Sequence, residues 1–249
     1  MYDKLEADVL YLKEEYERAA DMYLEGARDG DALASFNYGY CLWRGIGRDY
    51  DPIAAKSYFA FARDIEGGEA CYNLAMLYMH GEGVRRDYST AIKYMTHSAE
   101  SGCLEAQLYM GMAYTLGCVF EPDVTGICMI PYHKPEYRTG DEFLLTGVAG
   151  DYDEEDMRFA VISADARRAF EWFRAAARHD PTYVSELVAK GKYLYAKCYI
   201  DGLGTDFDRD KGERIMLLAG KSGSSEAITY LRENAVLDRL LSSEKKRKD

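Results

Sequence analysis

The chain has 249 residues, 48% of them hydrophobic, and a formal net charge of −12. No apolar run reaches the roughly 20 residues that a membrane-spanning helix needs, so no membrane partner is expected. The acidic balance argues against nucleic acid as a general partner, because affinity for a phosphate backbone comes from lysine and arginine; a basic or neutral protein surface is the expected partner.

Residues 1–30 read as an N-terminal cap. Glu15, Ala19, Met22, Ala27 and Gly30 stand in register with the second helix of a helix pair, with no full first helix before them. The opening MYDKLEADVLYLKEEYERAA is acidic and amphipathic, unlike the basic head and apolar core of a signal peptide. Helix pairs are predicted next at 32–45 with 52–65, and at 68–81 with 88–101. A third pair begins at 104–116 and is interrupted. Its second helix resumes at Asp165, where Ala169, Trp172 and Ala177 match Asp87-relative positions Ala91, Tyr94 and Ala99. Gly81 precedes Asp87 by 6 residues and Gly117 precedes Asp165 by 48, so 42 residues are inserted in that turn.

The insertion, 118–164, contains short apolar runs at Val119-Phe120, Ile127 to Ile130 and Phe143 to Leu145, and an acidic stretch from Asp151 to Asp156. It reads as a loop with one or two short strands, and its length suits either a functional or a poorly ordered segment. A further excess of 7 residues lies between Asp180 and Gly191. Nearly two helical turns, it lengthens the first helix of the fourth pair, with Asp180-Pro181 as its cap and first residue. Residues 224–242 read as a C-terminal cap and 243–249 as a solvated tail carrying the basic run Lys245–Lys248. The reading is one helical-repeat domain over 1–242, with repeats at 31–117 and 165–223.

The repetition is regular. Ala34, Tyr38, Gly39, Leu42, Gly45, Gly47, Asp51, Ala55 and Tyr58 return 36 residues later as Ala70, Leu74, Ala75, Tyr78, Gly81, Gly83, Asp87, Ala91 and Tyr94. Self-similarity at this period predicts a solenoid. Small residues let the paired helices approach, the glycine pairs close one helix in a left-handed turn, and Asp51, Asp87 and Asp208 are placed to cap the next. The glycines follow helices and not strands, which sets them apart from a phosphate loop.

This set, A-x-x-x-L-[AG]-x-x-Y-x-x-G-x-G followed by D-x-x-x-A-x-x-Y, resembles the SEL-one-like repeat (SLR) family, relatives of the tetratricopeptide repeat. The resemblance implies an all-α, right-handed superhelix of helix pairs acting as a non-enzymatic protein-interaction scaffold or adaptor. Transferred by alignment, the tetratricopeptide groove positions fall on Phe36, Tyr40, Trp43 and Arg44, on Tyr72, Met76, Met79 and His80, on Leu108, Met112 and Thr115, and on Tyr193, Lys197 and Asp201. Tyr, Trp, Met and Arg are enriched where proteins bind proteins, so this concave face is the expected site for a peptide or protein. Tyr40, Trp43, Met76 and Met79 lead the set. The same residues also suit packing between neighbouring helices.

Secreted SLR proteins can carry a regularly spaced cysteine pair in each repeat. Of the six cysteines here, only Cys41 and Cys198 share a repeat position. They read as small buried hydrophobes, and a reducing cytoplasm is the expected location. An alternative function is a ligand or metal sensor using 118–164, with Cys118, Cys128 and His133 as zinc ligands beside Glu121 or Asp123, although their spacing is not that of a paired-cysteine knuckle. His80, His97, His133 and His179 lie in different repeats, and neither a G-x-S-x-G elbow nor a His-Glu-x-x-His helix is present. No catalytic residue and no cofactor is expected.

Overall fold

The computed structural model describes residues 2–63, 67–116, 119–123, 126–130, 162, 164–180 and 185–236. They divide into two compact units, Met1–Ala106 with Glu121–Val161, and Gln107–Phe120 with Ile162–Asp249. Among the described residues there are eleven helices and one two-stranded ribbon.

The first unit contains α1 (Lys4–Leu12), α2 (Tyr16–Arg28), α3 (Ala32–Arg44), α4 (Pro52–Ala62), α5 (Gly67–His80), α6 (Tyr88–Glu100) and the start of α7 (Leu104–Leu116). Helices α3 and α4 run antiparallel: the Asp51 N–H bonds the Leu42 carbonyl at 2.9 Å, and the Tyr38 and Tyr58 rings meet edge to face at 4.9 Å. Asp87 and Tyr78 repeat the closing bond between α5 and α6, again at 2.9 Å. Alanines at the crossings, Ala34, Ala55, Ala70 and Ala91, are fully buried. The expected caps are made, Asp51 accepting from the Ala54 N–H and Asp87 from that of Thr90, each such cap contributing about 1 kcal/mol.

One turn position shows why the sequence keeps returning to glycine. Gly83 has φ +65°, and a Cβ placed there would lie 2.6 Å from the Pro52 carbonyl carbon at the start of α4. Each turn is thus pressed onto the preceding pair's second helix, a contact that both the left-handed backbone and the missing side chain make possible.

The N-terminal segment differs from expectation. A nine-residue first helix, α1, does precede α2, capped by Asp3 and joined through Lys13 to Glu15, with Glu14 at φ 63°. It lacks the glycine pair that marks the other turns, which is why the repeat pattern does not reach it.

The second unit contains the rest of α7, then α8 (Ala166–Ala176), α9 (Ser185–Asp201), α10 (Arg209–Lys221) and α11 (Ser225–Glu233). Asp165 and Asp208 cap α8 and α10 through the Arg168 and Lys211 N–H groups. Gly111 and Gly191 let backbones close up, a Cβ on the first falling 2.5 Å from the Phe173 ring and on the second 3.1 Å from Ala176. Helix α9 has 17 residues against 13 in α3, so its described part is longer by about one turn. Pro181, its expected first residue, lies outside the described residues. Strands β1 (Val119–Asp123) and β2 (Gly126–Ile130) pair within the insertion. The apolar run at Phe143 to Leu145, the acidic stretch at 151–156 and the basic tail lie outside the described residues.

Candidate functional site

In the first unit the predicted face on α3 and α5 forms a connected group. Trp43 is 5% exposed, its ring edge to face with Phe59 at 6.1 Å and with Tyr40 at 6.4 Å. Its indole N–H donates to a carboxylate oxygen of Glu82. The Tyr50 hydroxyl also bonds Glu82, and burial together with that carboxylate raises its pKa. Over the outer side of Trp43 lies the exposed Arg44, its guanidinium carbon 4.3 Å from the indole and 5.7 Å from the Tyr40 ring. The ring quadrupoles attract the cation at these distances.

Tyr72 on α5 continues the group. Burial raises its pKa, the charge of Glu105 at the start of α7 raises it further, and that of Arg44 on α3 opposes. Phe36 is half-buried and tilts against Phe59 at 5.8 Å. His80 is half-buried at the end of α5, and Met76 is buried at 7% exposure. Met79 is fully buried and belongs to the core, not to an open face. An inner helix of a repeat array is covered on both flanks, and nine of the fourteen residues of α5 are buried.

The remaining predicted residues are in the second unit. Leu108 is fully buried, and Met112 packs against the cluster of Ala169, Phe170, Phe173, Cys198 and Tyr199. The Thr115 hydroxyl donates to the Gly111 carbonyl at 2.9 Å. Tyr193 packs against the α9–α11 core, and Lys197 pairs with Asp201 at 2.9 Å.

Glu82, Tyr50 and Glu105 are absent from the groove positions derived from sequence. The signal at Glu82 was present: it stands between the two turn glycines where the other turns carry Ile46 and Leu203.

The cysteines offer no nucleophile in the described residues. Cys41, Cys71, Cys103 and Cys198 are buried and in no disulfide, and burial pushes the thiol of Cys41 up to about 11 and those of Cys103 and Cys198 to about 12. Among the described residues no three His, Cys, Asp or Glu side chains converge to hold a metal ion. The side chains of Cys118, Cys128, His133, Glu121 and Asp123 lie outside them. No described helix is long and apolar enough to cross a membrane.

Two solved structures share this arrangement of helix pairs. A Sel1 repeat protein from Oxalobacter formigenes superposes with a TM-score of 0.65 at 18% identity, over 93% of this chain and 75% of that one. The protective antigen c5321 of uropathogenic Escherichia coli strains, which displays an SLR fold, superposes with a TM-score of 0.58 at 20% identity, over 87% of this chain and 36% of that one. Both likenesses are of fold. In sequence, the chain is similar over 89 residues, 36% of its length, to two Arabidopsis thaliana proteins, the ERAD-associated E3 ubiquitin-protein ligase components HRD3A (34% identical) and HRD3B (26% identical). It spans only 13% and 15% of their respective lengths. The Sel1 repeat model matches residues 32–64, 68–103, 159–181 and 189–224, which indicates no catalytic family. With this repeat matched over four stretches, three of which each span a pair of helices, the chain belongs to the Sel1 repeat family.

Proposed function

We propose that this chain is a non-enzymatic scaffold that holds a peptide or protein segment against the α3–α5 face of its first unit. The observation that carries the reading is the exposed Arg44 guanidinium spread over Trp43 and Tyr40. Glu82 fixes the indole beneath it. A pre-ordered aromatic and guanidinium surface loses little side-chain freedom on binding, which favours it as a contact centre.

The chemistry suits a segment with a carboxylate next to an apolar side chain. The carboxylate takes the in-plane N–H groups of Arg44, and the apolar group covers Tyr40. Membership of a repeat family and likeness to two plant ligase components support a scaffold role in a larger assembly. Buried cysteines that form no disulfide favour a reducing compartment such as the cytoplasm.

The test is selection of binding peptides from a displayed library on the wild-type protein, followed by fluorescence anisotropy with wild type and Arg44→Ala. Loss of an aromatic-backed, charge-assisted contact is expected to weaken selected peptides by about tenfold or more. Peptides that bind both proteins equally would remove this face from the function.

A further inference from the structure

The second unit carries a side-chain cluster that the peptide-binding face does not use. On α9 the hydroxyls of Tyr195 and Tyr199 lie 3.3 Å apart. Each ring centre is 5.5 Å from that of Phe170 on α8. From α10, the Lys211 Nζ lies 4.2 Å from the centre of the Tyr199 ring and within reach of its hydroxyl. From α8, the Arg174 guanidinium carbon lies 5.9 Å from the centre of the Phe170 ring, and the exposed Arg178, in the turn that follows α8, is near enough for its charge to act on Tyr195. Arg174 is bonded to Glu171 at 2.5 Å.

The repeat fold does not require this arrangement. Around α5, the positions equivalent to Arg174, Arg178, Tyr195, Tyr199 and Lys211 carry Ala60, Asp64, Leu74, Tyr78 and Thr90. Only the tyrosine of the second floor position is shared. Three cations have therefore been collected near two hydroxyls where two successive repeats of a strongly acidic chain meet.

At both hydroxyls the charges of the cations act in the corresponding direction. Burial, the bond to Tyr199 and that neighbour's charge raise Tyr195 to about 12, with Arg174 and Arg178 opposing. Burial acts to raise Tyr199 too, yet Lys211, Tyr195 and Arg174 bring it below the ordinary tyrosine value.

We propose that the surface formed by Arg174, Arg178, Tyr195, Tyr199 and Lys211 binds a phosphate group. Arg174 is shared with the Glu171 carboxylate, and the cationic groups together offer positive charge to the about −1.5 to −2 of a phosphate monoester at neutral pH. The two hydroxyls and the cationic N–H groups supply more donors than the two oxygens of a carboxylate use, and three terminal phosphate oxygens can take them. The phosphate is free in solution or is carried on a phosphorylated peptide, and the two sources share this chemistry.

The test titrates the full chain by 1H–15N NMR at constant ionic strength with inorganic phosphate, with a short phosphoserine peptide, and with the same peptide carrying serine or glutamate instead. Saturable shifts at residues 174–178, 195–199 and 208–212 are expected with phosphate or phosphopeptide, and none with the serine peptide. Tighter binding of the phosphopeptide than of phosphate assigns the peptide as the source; equal affinity assigns free phosphate.

An Arg178→Gln/Lys211→Gln variant should bind about tenfold or more weakly. Tyr195→Phe keeps the ring packing, removes one donor, and should weaken binding by about three- to tenfold. Non-saturating shifts, unchanged affinity in these variants, or a glutamate peptide equal to the phosphopeptide would overturn the proposal. Arg44→Ala lies outside this cluster and should leave phosphate binding unchanged, so failure here and failure of the peptide face are separable.

Discussion

The Asp165 backbone N–H bonds the Tyr114 carbonyl at 2.8 Å, across 51 residues of sequence, and this is the same bond that Asp87 makes to Tyr78 across nine. The 42-residue difference is the inserted length. The turn is therefore closed by the same bond as in an uninterrupted repeat, and α7 and α8 pack as a normal pair.

Replacing residues 118–164 by the five residues Glu-Gly-Val-Arg-Arg, copied from 82–86, should accordingly preserve the helical circular dichroism and the exchange protection of the Asp165 amide. Closing a short loop in place of a long one should stabilise the pair by about 1–2 kcal/mol in urea unfolding. Loss of cooperative unfolding would show that the insertion is part of the core.

The turn glycines separate two causes of destabilisation. Gly102 has φ +96° with nothing within 4 Å of a built Cβ, whereas Gly83 combines φ +65° with contacts of 2.6–2.9 Å to the backbone of Pro52 and Ile53. Gly102→Ala should cost about 1 kcal/mol, from the left-handed conformation alone. Gly83→Ala must also displace the start of α4, and should cost about 3 kcal/mol or more. Equal denaturation midpoints for the two variants would contradict the close approach.

These same residues show what the sequence carries. Glycine pairs and capping aspartates are legible because a left-handed turn and a helix N-terminus each accept few residue types, so the requirement surfaces as a repeat. The first helix, α1, is not legible because its turn at Glu14 uses neither. The predicted face was legible only in part: periodicity separates the side of α5 that meets its own partner from the opposite side, but cannot tell that Met79 on that opposite side is fully covered. Glu82 escaped notice because its role depends on a residue 39 positions away, Trp43.

Asp87 gives a prediction in pH. Its carboxylate accepts the Thr90 hydroxyl at 2.6 Å and the Thr90 N–H at 3.0 Å, and these bonds, the hydroxyl foremost, hold its pKa below the usual aspartate value. A depressed carboxyl contributes stability above its unfolded pKa of about 3.9, and loses it as pH falls through the lower folded value. Asp87→Ala should cost about 1–2 kcal/mol at pH 7, and the gap from wild type should narrow in urea titrations below about pH 4. A gap independent of pH would assign the effect to packing.

Trp43 and Arg44 adjoin in sequence, yet their substitutions should read out in different experiments. Trp43 is 5% exposed, packed on Phe59, and its N–H is held by Glu82. Trp43→Ala should cost about 3–5 kcal/mol, as other large aromatic truncations do, and any loss of partner binding will follow from loss of structure. Glu82→Ala leaves the buried indole N–H unpaired and should cost about 1–3 kcal/mol. Arg44 is exposed and rests on the outer ring face, so Arg44→Ala should change stability by no more than about 0.5 kcal/mol. Binding that falls with Arg44→Ala at unchanged thermal midpoint assigns the guanidinium to recognition. A midpoint that falls in parallel would make Arg44 a cover for the core and leave the face without its central contact.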